Sequence, residues 1–136
     1  MPVKVIFHLV KTPSQKLQTI TELARDYYHR KENLLFFAPD QKAASFLDEL
    51  LWKIPETSFI PHALSDAPCK ELIVITCKRE NFTNAKAVCN LWPTPFLKEK
   101  VPTLHELEDL TSPVKKSLSQ KRFETYRDAK FIIESH

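Results

Sequence analysis

The hydrophobic and polar positions of this chain change period several times, and each change predicts a new element. Residues 3–10, VKVIFHLV, are β-branched and apolar, as expected of a buried strand. Thr12 and Pro13 follow, a capping side chain and a proline suited to the first helical position. Leu17, Ile20, Ala24 and Tyr27 then recur at three and four residues, which predicts a helix reaching about Arg30. NLLFFA, residues 33–38, is a second strand-sized run. Pro39 and Asp40 open a second helix, whose stripe is Ala43, Leu47, Leu50, Leu51 and Ile54. A β-α-β-α opening of this kind predicts a parallel sheet with crossover helices.

Past Pro55 the pattern is irregular as far as Pro61, with room for a short strand near Phe59. ELIVITC (71–77) and AKAVCNLW (85–92) read as further strands, and the prolines between 93 and 102 mark a loop. Alternation in TLHELEDL (103–110) favours a strand over a short helix. Ser112 and Pro113 start a last helix over about 113–130, with Val114, Leu118, Thr125, Ala129 and Ile132 as its expected inward face. No repeat or domain boundary interrupts the chain, so the expectation is one mainly parallel α/β domain over residues 1–136.

Composition removes whole classes of function. The sequence contains 0 glycines. Phosphate-binding loops, dinucleotide turns and nucleophile elbows all need glycine, where the backbone must approach a phosphate closely or take a strained turn. No nucleotide or other cofactor is therefore expected. No apolar run approaches the ~20 residues of a membrane span, and the N-terminus lacks the pattern of a secretory signal, so a cytoplasmic protein is expected. Cys69, Cys77 and Cys89 are an odd set without C-x-x-C spacing, which reads as free thiols. His8, His29, His62, His105 and His136 show no close ligand spacing, so no metal is expected. His8, in a strand, reads as a hydrogen-bonded core residue. A catalytic residue is not legible, although Cys77 or Cys89 could meet His62 in space.

Charge is uneven. Residues 1–110 hold 14 Lys/Arg and 14 Asp/Glu, whereas residues 111–136 hold six basic and three acidic side chains. The excess of +3 thus lies in the C-terminal segment, which argues for one local cationic face rather than a general nucleic-acid surface. Lys116, Gln120, Phe123 and Arg127 follow one another at spacings of four, three and four, placing a phenyl ring among cations. Such a face can be a solvated basic surface, or a seat for a peptide carrying apolar side chains and carboxylates. Trp52 raises a similar question, since it falls nearly opposite the stripe of the second helix. Either the following loop covers its indole, or Trp52 and Phe59 form an exposed aromatic anchor for a partner.

Three stretches resemble a known family: LDELLW (47–52), PETSFIPH (55–62) and RFETYRDAKF (122–131) are similar to segments of the chi subunit of bacterial DNA polymerase III. The resemblance implies a Rossmann-like fold without nucleotide binding, and a non-catalytic subunit of the polymerase holoenzyme that bridges its clamp loader to single-stranded DNA-binding protein. It implies that the acidic C-terminal tail of that protein docks on Lys116, Gln120, Lys121, Phe123 and Arg127, with Tyr126 supporting the helix. It further implies that Trp52 and Phe59 meet a psi subunit or equivalent partner, and that DNA is contacted only indirectly. The chain departs from the family pattern in three places. Gln120 stands where arginine is usual, Phe123 where tyrosine is common, and Lys130 where the family has a small glycine. A small enzyme with a spatially assembled Cys/His site and a direct single-stranded DNA binder are the alternative readings.

Overall fold

The computed structural model describes residues 3–53 and 60–136. The expectations placed on Ile54 and Phe59 lie outside those residues. The described chain forms β1 (Lys4–Val10), α1 (Pro13–His29), β2 (Leu34–Phe37), α2 (Gln41–Trp52), β3 (His62–Leu64), β4 (Ile73–Thr76), β5 (Ala87–Asn90), β6 (Thr103–Asp109), α3 (Pro113–Asp128) and β7 (Ile132–Ser135). The strands hydrogen-bond in the order β3-β4-β2-β5-β6-β1-β7, every pair parallel. This is the expected Rossmann-like α/β architecture, with the sheet wholly rather than mainly parallel.

Each helix starts where its cap predicts. Thr12, Asp40 and Ser112 are extended N-cap residues whose side chains accept from the backbone N–H groups of Gln15, Ala43 and Lys115. Burial then sorts the helices onto two faces. Ile20, Leu23, Ala24 and Tyr27 of α1 and Ala44, Leu47 and Leu51 of α2 pack with Leu34, Phe36, Ile73 and Ile75 on one side of the sheet. Tyr126 of α3 packs with Val5, Phe7, Leu35, Phe37, Val88 and Leu104 on the other. Each fully buried Leu, Ile or Phe contributes roughly 1.5–3 kcal/mol of transfer free energy, so these two layers are the main source of stability.

The end of α3 differs from the sequence expectation. The helix stops at Asp128, and residues 132–135 form an unexpected edge strand beside β1. The stop is a left-handed turn. Lys130 has φ 67°, its N–H bonds the Arg127 carbonyl, and the Phe131 N–H bonds the Tyr126 carbonyl. The Phe131 ring stacks on Tyr126 at 5.3 Å, the apolar contact that accompanies this type of helix ending. Glycine is the residue that takes this conformation without a Cβ clash, so the position is marked only by a lysine. Lys130→Gly should therefore raise stability by about 1 kcal/mol, seen as a higher urea midpoint. An unchanged midpoint would mean that the turn carries no strain.

The inward face of α3 also differs. Ser119, Arg122 and Tyr126 point at the sheet, while Val114 and Ala129 are exposed and Leu118 and Thr125 are half-buried. Ile132 lies in β7 and is exposed. The helix is turned by roughly a quarter of a revolution from the hydrophobic reading, because its buried positions are polar.

Candidate functional site

What turns α3 is Glu106, fully buried on β6 beneath it. Arg122 Nε donates to Glu106 Oε1 at 3.1 Å, and Asn90 Nδ2 and the Tyr126 hydroxyl donate to Oε2 at 2.8 and 2.5 Å. The rest of the guanidinium is also occupied. Arg122 Nη1 donates to the Pro93 carbonyl at 3.1 Å, and Nη2 donates to the Leu107 carbonyl at 2.9 Å and Ser119 Oγ at 3.1 Å. The Tyr126 hydroxyl accepts from the Phe96 N–H at 2.8 Å, which ties the proline-rich loop to the same centre. Burial pushes the Glu106 carboxyl up to about 7 against the pull of Arg122, Asn90 and Tyr126, and burial beside that carboxylate pushes the Tyr126 phenol up. A buried charge is tolerated when paired and hydrogen-bonded, and this network fixes both the rotation and the position of the helix.

That rotation builds a cleft on the helix shoulder. A cavity of about 740 Å³ is lined by Lys116, Gln120, Lys121 and Phe123 from α3, with Phe7 and Glu108 of the sheet among its other walls. Four of the five α3 residues picked out in the sequence thus share one cleft. Arg127 does not line it. Its guanidinium sits one turn beyond Phe123, exposed, with Nε 3.4 Å from Asp128 Oδ1. Phe123 is half-buried rather than standing on an outer face, its ring set edge-on to Phe7 at 5.7 Å. The ring is therefore a preformed apolar wall with ammonium groups at its rim. Gln120 is exposed and donates to Glu124 Oε1 at 3.2 Å.

The second candidate lies at the far edge of the sheet, on the opposite face. Trp52, in the last turn of α2, is 58% exposed, which agrees with its placement away from the apolar stripe. Its indole lies against the His62 ring at 5.0 Å, edge to face. His62 opens β3 and its side chain is fully buried, held by the Ile60 carbonyl and Asp48. Leu64, at the other end of β3, is also exposed. Sequence reasoning marked Trp52 but missed His62, whose place beside the indole depends on where β3 returns to α2.

Cys77 and Cys89, and the histidines His8, His62 and His105, are tied into the packing; Cys69 is exposed. Burial pushes Cys89 and, less deeply, Cys77 up, so neither carries the thiolate that a nucleophile needs. His62, the suggested partner of a cysteine, has both ring nitrogens committed to Ile60 and Asp48. His105, buried on β6, bonds His8 Nε2 through Nδ1 at 2.9 Å and the Tyr27 hydroxyl through Nε2 at 2.8 Å. Burial and the neighbouring His8 hold its pKa down at about 3, and burial lowers His8 as well. Among the described residues no group of three or more His, Cys, Asp or Glu side chains could hold a metal ion. No helix among them is long and apolar enough to cross a membrane.

Fold and site together define a Rossmann-like α/β protein without a glycine turn, carrying on its last helix a cleft lined by the Phe123 ring, Lys116 and Lys121 and the carboxylates of Glu108 and Glu124. A solved structure described as "The crystal structure of T4 UvsW" is similar to it with a TM-score of 0.61 at 12% identity. The match covers 99% of this chain and 41% of that one, and at this identity it speaks for the fold alone. No curated protein matches the sequence. The model of the family described as DNA polymerase III chi subunit, HolC, matches residues 2–134. The chain belongs to that family, and is by membership an accessory subunit of the replicative polymerase.

Proposed function

We propose that this subunit is a non-catalytic adaptor that binds the acidic C-terminal tail of single-stranded DNA-binding protein in the α3 cleft and meets a psi subunit, or an equivalent clamp-loader partner, through Trp52. The observation that carries the reading is the convergence of Lys116, Gln120, Lys121 and Phe123 on one cleft. Lys116, Lys121 and the Phe123 ring suit an acidic peptide ending in apolar side chains, seated clear of Glu108 and Glu124, which also line the cleft. Carboxylates pair with the rim ammonium groups, and an apolar side chain packs on the Phe123 ring. Arg127, outside the cleft, would act on the approaching tail at longer range, where screening sets in over about 8–10 Å.

Gln120 offers a test that leaves the fold alone, because its side chain is exposed. Gln120→Arg should tighten binding of a tail peptide, and Gln120→Glu should weaken it, each by roughly three- to tenfold at low salt, about 1 kcal/mol. Lys116→Ala should flatten the salt dependence. These affinities can be read by fluorescence anisotropy with a labelled peptide. Equal affinities for the Arg and Glu variants would remove the cleft from tail binding.

A further inference from the structure

Among the described residues β7 is an edge strand, paired with β1 on one side only. The Ile132 N–H donates to the Val3 carbonyl, the His136 N–H donates to the Phe7 carbonyl, and the His136 carbonyl accepts from the Leu9 N–H. Backbone groups alternate in direction along a strand. The N–H and C=O groups of Ile133 and Ser135 therefore point away from the sheet, and no described group bonds them. An edge of this kind is a template for another chain, which proteins commonly blunt with a proline, a bulge or a charge. Residues 132–135 contain no proline and keep an unbroken register with β1. Their one charge, Glu134, is drawn to Lys4 at 3.0 Å and His136 at 3.4 Å.

We propose that the outer edge of β7 is the second half of the tail-binding site: an acidic, apolar-ended peptide adds to it as a further parallel strand, bonding the free groups of Ile133 and Ser135 and turning alternate side chains into the α3 cleft. This assignment depends on the tail-binding role of that cleft. Two observations join edge and cleft. Ser135 lines the cleft together with Phe123 and Lys121. Ile133, two residues back and so on the same face of the strand, packs like Phe123 against the core layer under α3. The charges set the direction. β7 springs from the left-handed turn at Lys130, whose N–H bonds the Arg127 carbonyl. Both side chains are exposed there, and Lys130 makes no ion pair among the described residues, whereas Asp128 already has Arg127 beside it. Four residues of strand span roughly 13 Å, so the apolar end of a peptide can occupy the cleft at Ser135 while its upstream carboxylates lie beside Lys130 and Arg127. Glu134 is on the opposite face of the strand from Ser135, and Glu108 and Glu124 meet the apolar end rather than the acids. Arg127, left outside the cleft, thereby gains a place on the same ligand.

The test is amide hydrogen exchange, read by NMR on the whole chain alone and with a large excess of a synthetic aspartate-rich peptide ending in leucine and phenylalanine. In the free chain the Ile133 and Ser135 amides should exchange faster than those of Ile132 and His136, which are bonded to β1. Peptide should slow the two outward amides by roughly tenfold or more. Ser135→Pro deletes one outward N–H and no bond to β1, a change that an edge strand tolerates. It should weaken the peptide by roughly five- to tenfold, whereas Ser135→Ala should bind as the parent does. If the proline variant fails to fold, exchange in the parent still decides. A peptide that shifts the Lys121 and Phe123 resonances but leaves Ile133 and Ser135 exchanging as before fills the cleft without the edge, and overturns this proposal alone. One that moves none of the four overturns the tail reading and this proposal with it. Protection of the two amides already present in the free chain and growing with its concentration would assign the edge to a second copy, and would overturn the proposal as well.

Discussion

Replacing Arg122 by alanine should destabilise the protein by about 3–5 kcal/mol, because it removes one partner of a buried ion pair and leaves Glu106, already pushed up to about 7, to take up a proton or stay charged without a partner. On a typical total of about 5–15 kcal/mol that is a large share of the stability. The loss reaches beyond the carboxylate, since the guanidinium also donates to the carbonyls of Pro93 and Leu107 and to Ser119. Urea denaturation of the variant reads the effect directly. A double variant, Arg122→Met with Glu106→Leu, should recover only part of it: the unpaired charge is gone, but Asn90, the Tyr126 hydroxyl and the carbonyls of Pro93 and Leu107 lose their partners. The proposed tail-binding cleft should recover still less, because the network also sets the rotation of α3. A cost below about 1 kcal/mol for Arg122→Ala would show that water or another cation replaces the guanidinium.

Stability should fall steeply in acid because of His105. Its folded pKa of about 3 lies below the ordinary 6.5, so as pH drops the unfolded chain takes up the proton first. The stabilisation is whole above about pH 6.5 and is lost progressively down to about pH 3. A shift of this size is worth several kcal/mol at the acid end, on the order of 5 at most. The lowered His8 adds in the same direction. Glu106 opposes it between its ordinary 4.5 and about 7, since there the folded state holds the proton more tightly. Comparing the parent with His105→Gln at each pH isolates the histidine contribution. The gap between their unfolding free energies should shift in favour of the variant by several kcal/mol between pH 7 and 4. A gap independent of pH would mean that the ring is protonated without cost.

Much of this architecture is legible in the sequence because it rests on local signals. Thr12, Asp40 and Ser112 cap helices where the pattern places them, and β1, β2, β4, β5 and β6 fall within the apolar or alternating runs. The short β3 lies just beyond the irregular stretch. β7 escaped because a lysine occupies the left-handed turn that glycine usually marks, so the helical reading ran on to about residue 130. The inward face of α3 escaped for a different reason. Periodicity arguments send arginine and glutamate to solvent, whereas Arg122 and Glu106 are buried because each is the other's partner across 16 residues of sequence. The site was legible in part. The spacing of Lys116, Gln120 and Phe123 places them on one shoulder, but only the three-dimensional seat of the helix separates them from Arg127.

The two candidate surfaces stand near opposite margins of one continuous hydrogen-bonded sheet. Trp52 lies beside β3 at one edge, and the cleft is walled by β6, β1 and β7 at the other. From β3 to β1 there are five strand intervals, roughly 24 Å at the usual strand spacing, and the helices involved lie on opposite faces. If both surfaces bind as proposed, the molecule is a strut. Ligands seated as proposed at its two ends would stand too far apart to touch, and the continuous hydrogen-bonded sheet between them holds that spacing. Occupancy at one end should leave the affinity of the other unchanged, so the strut lends its two cargoes nothing except a fixed separation and a high local concentration.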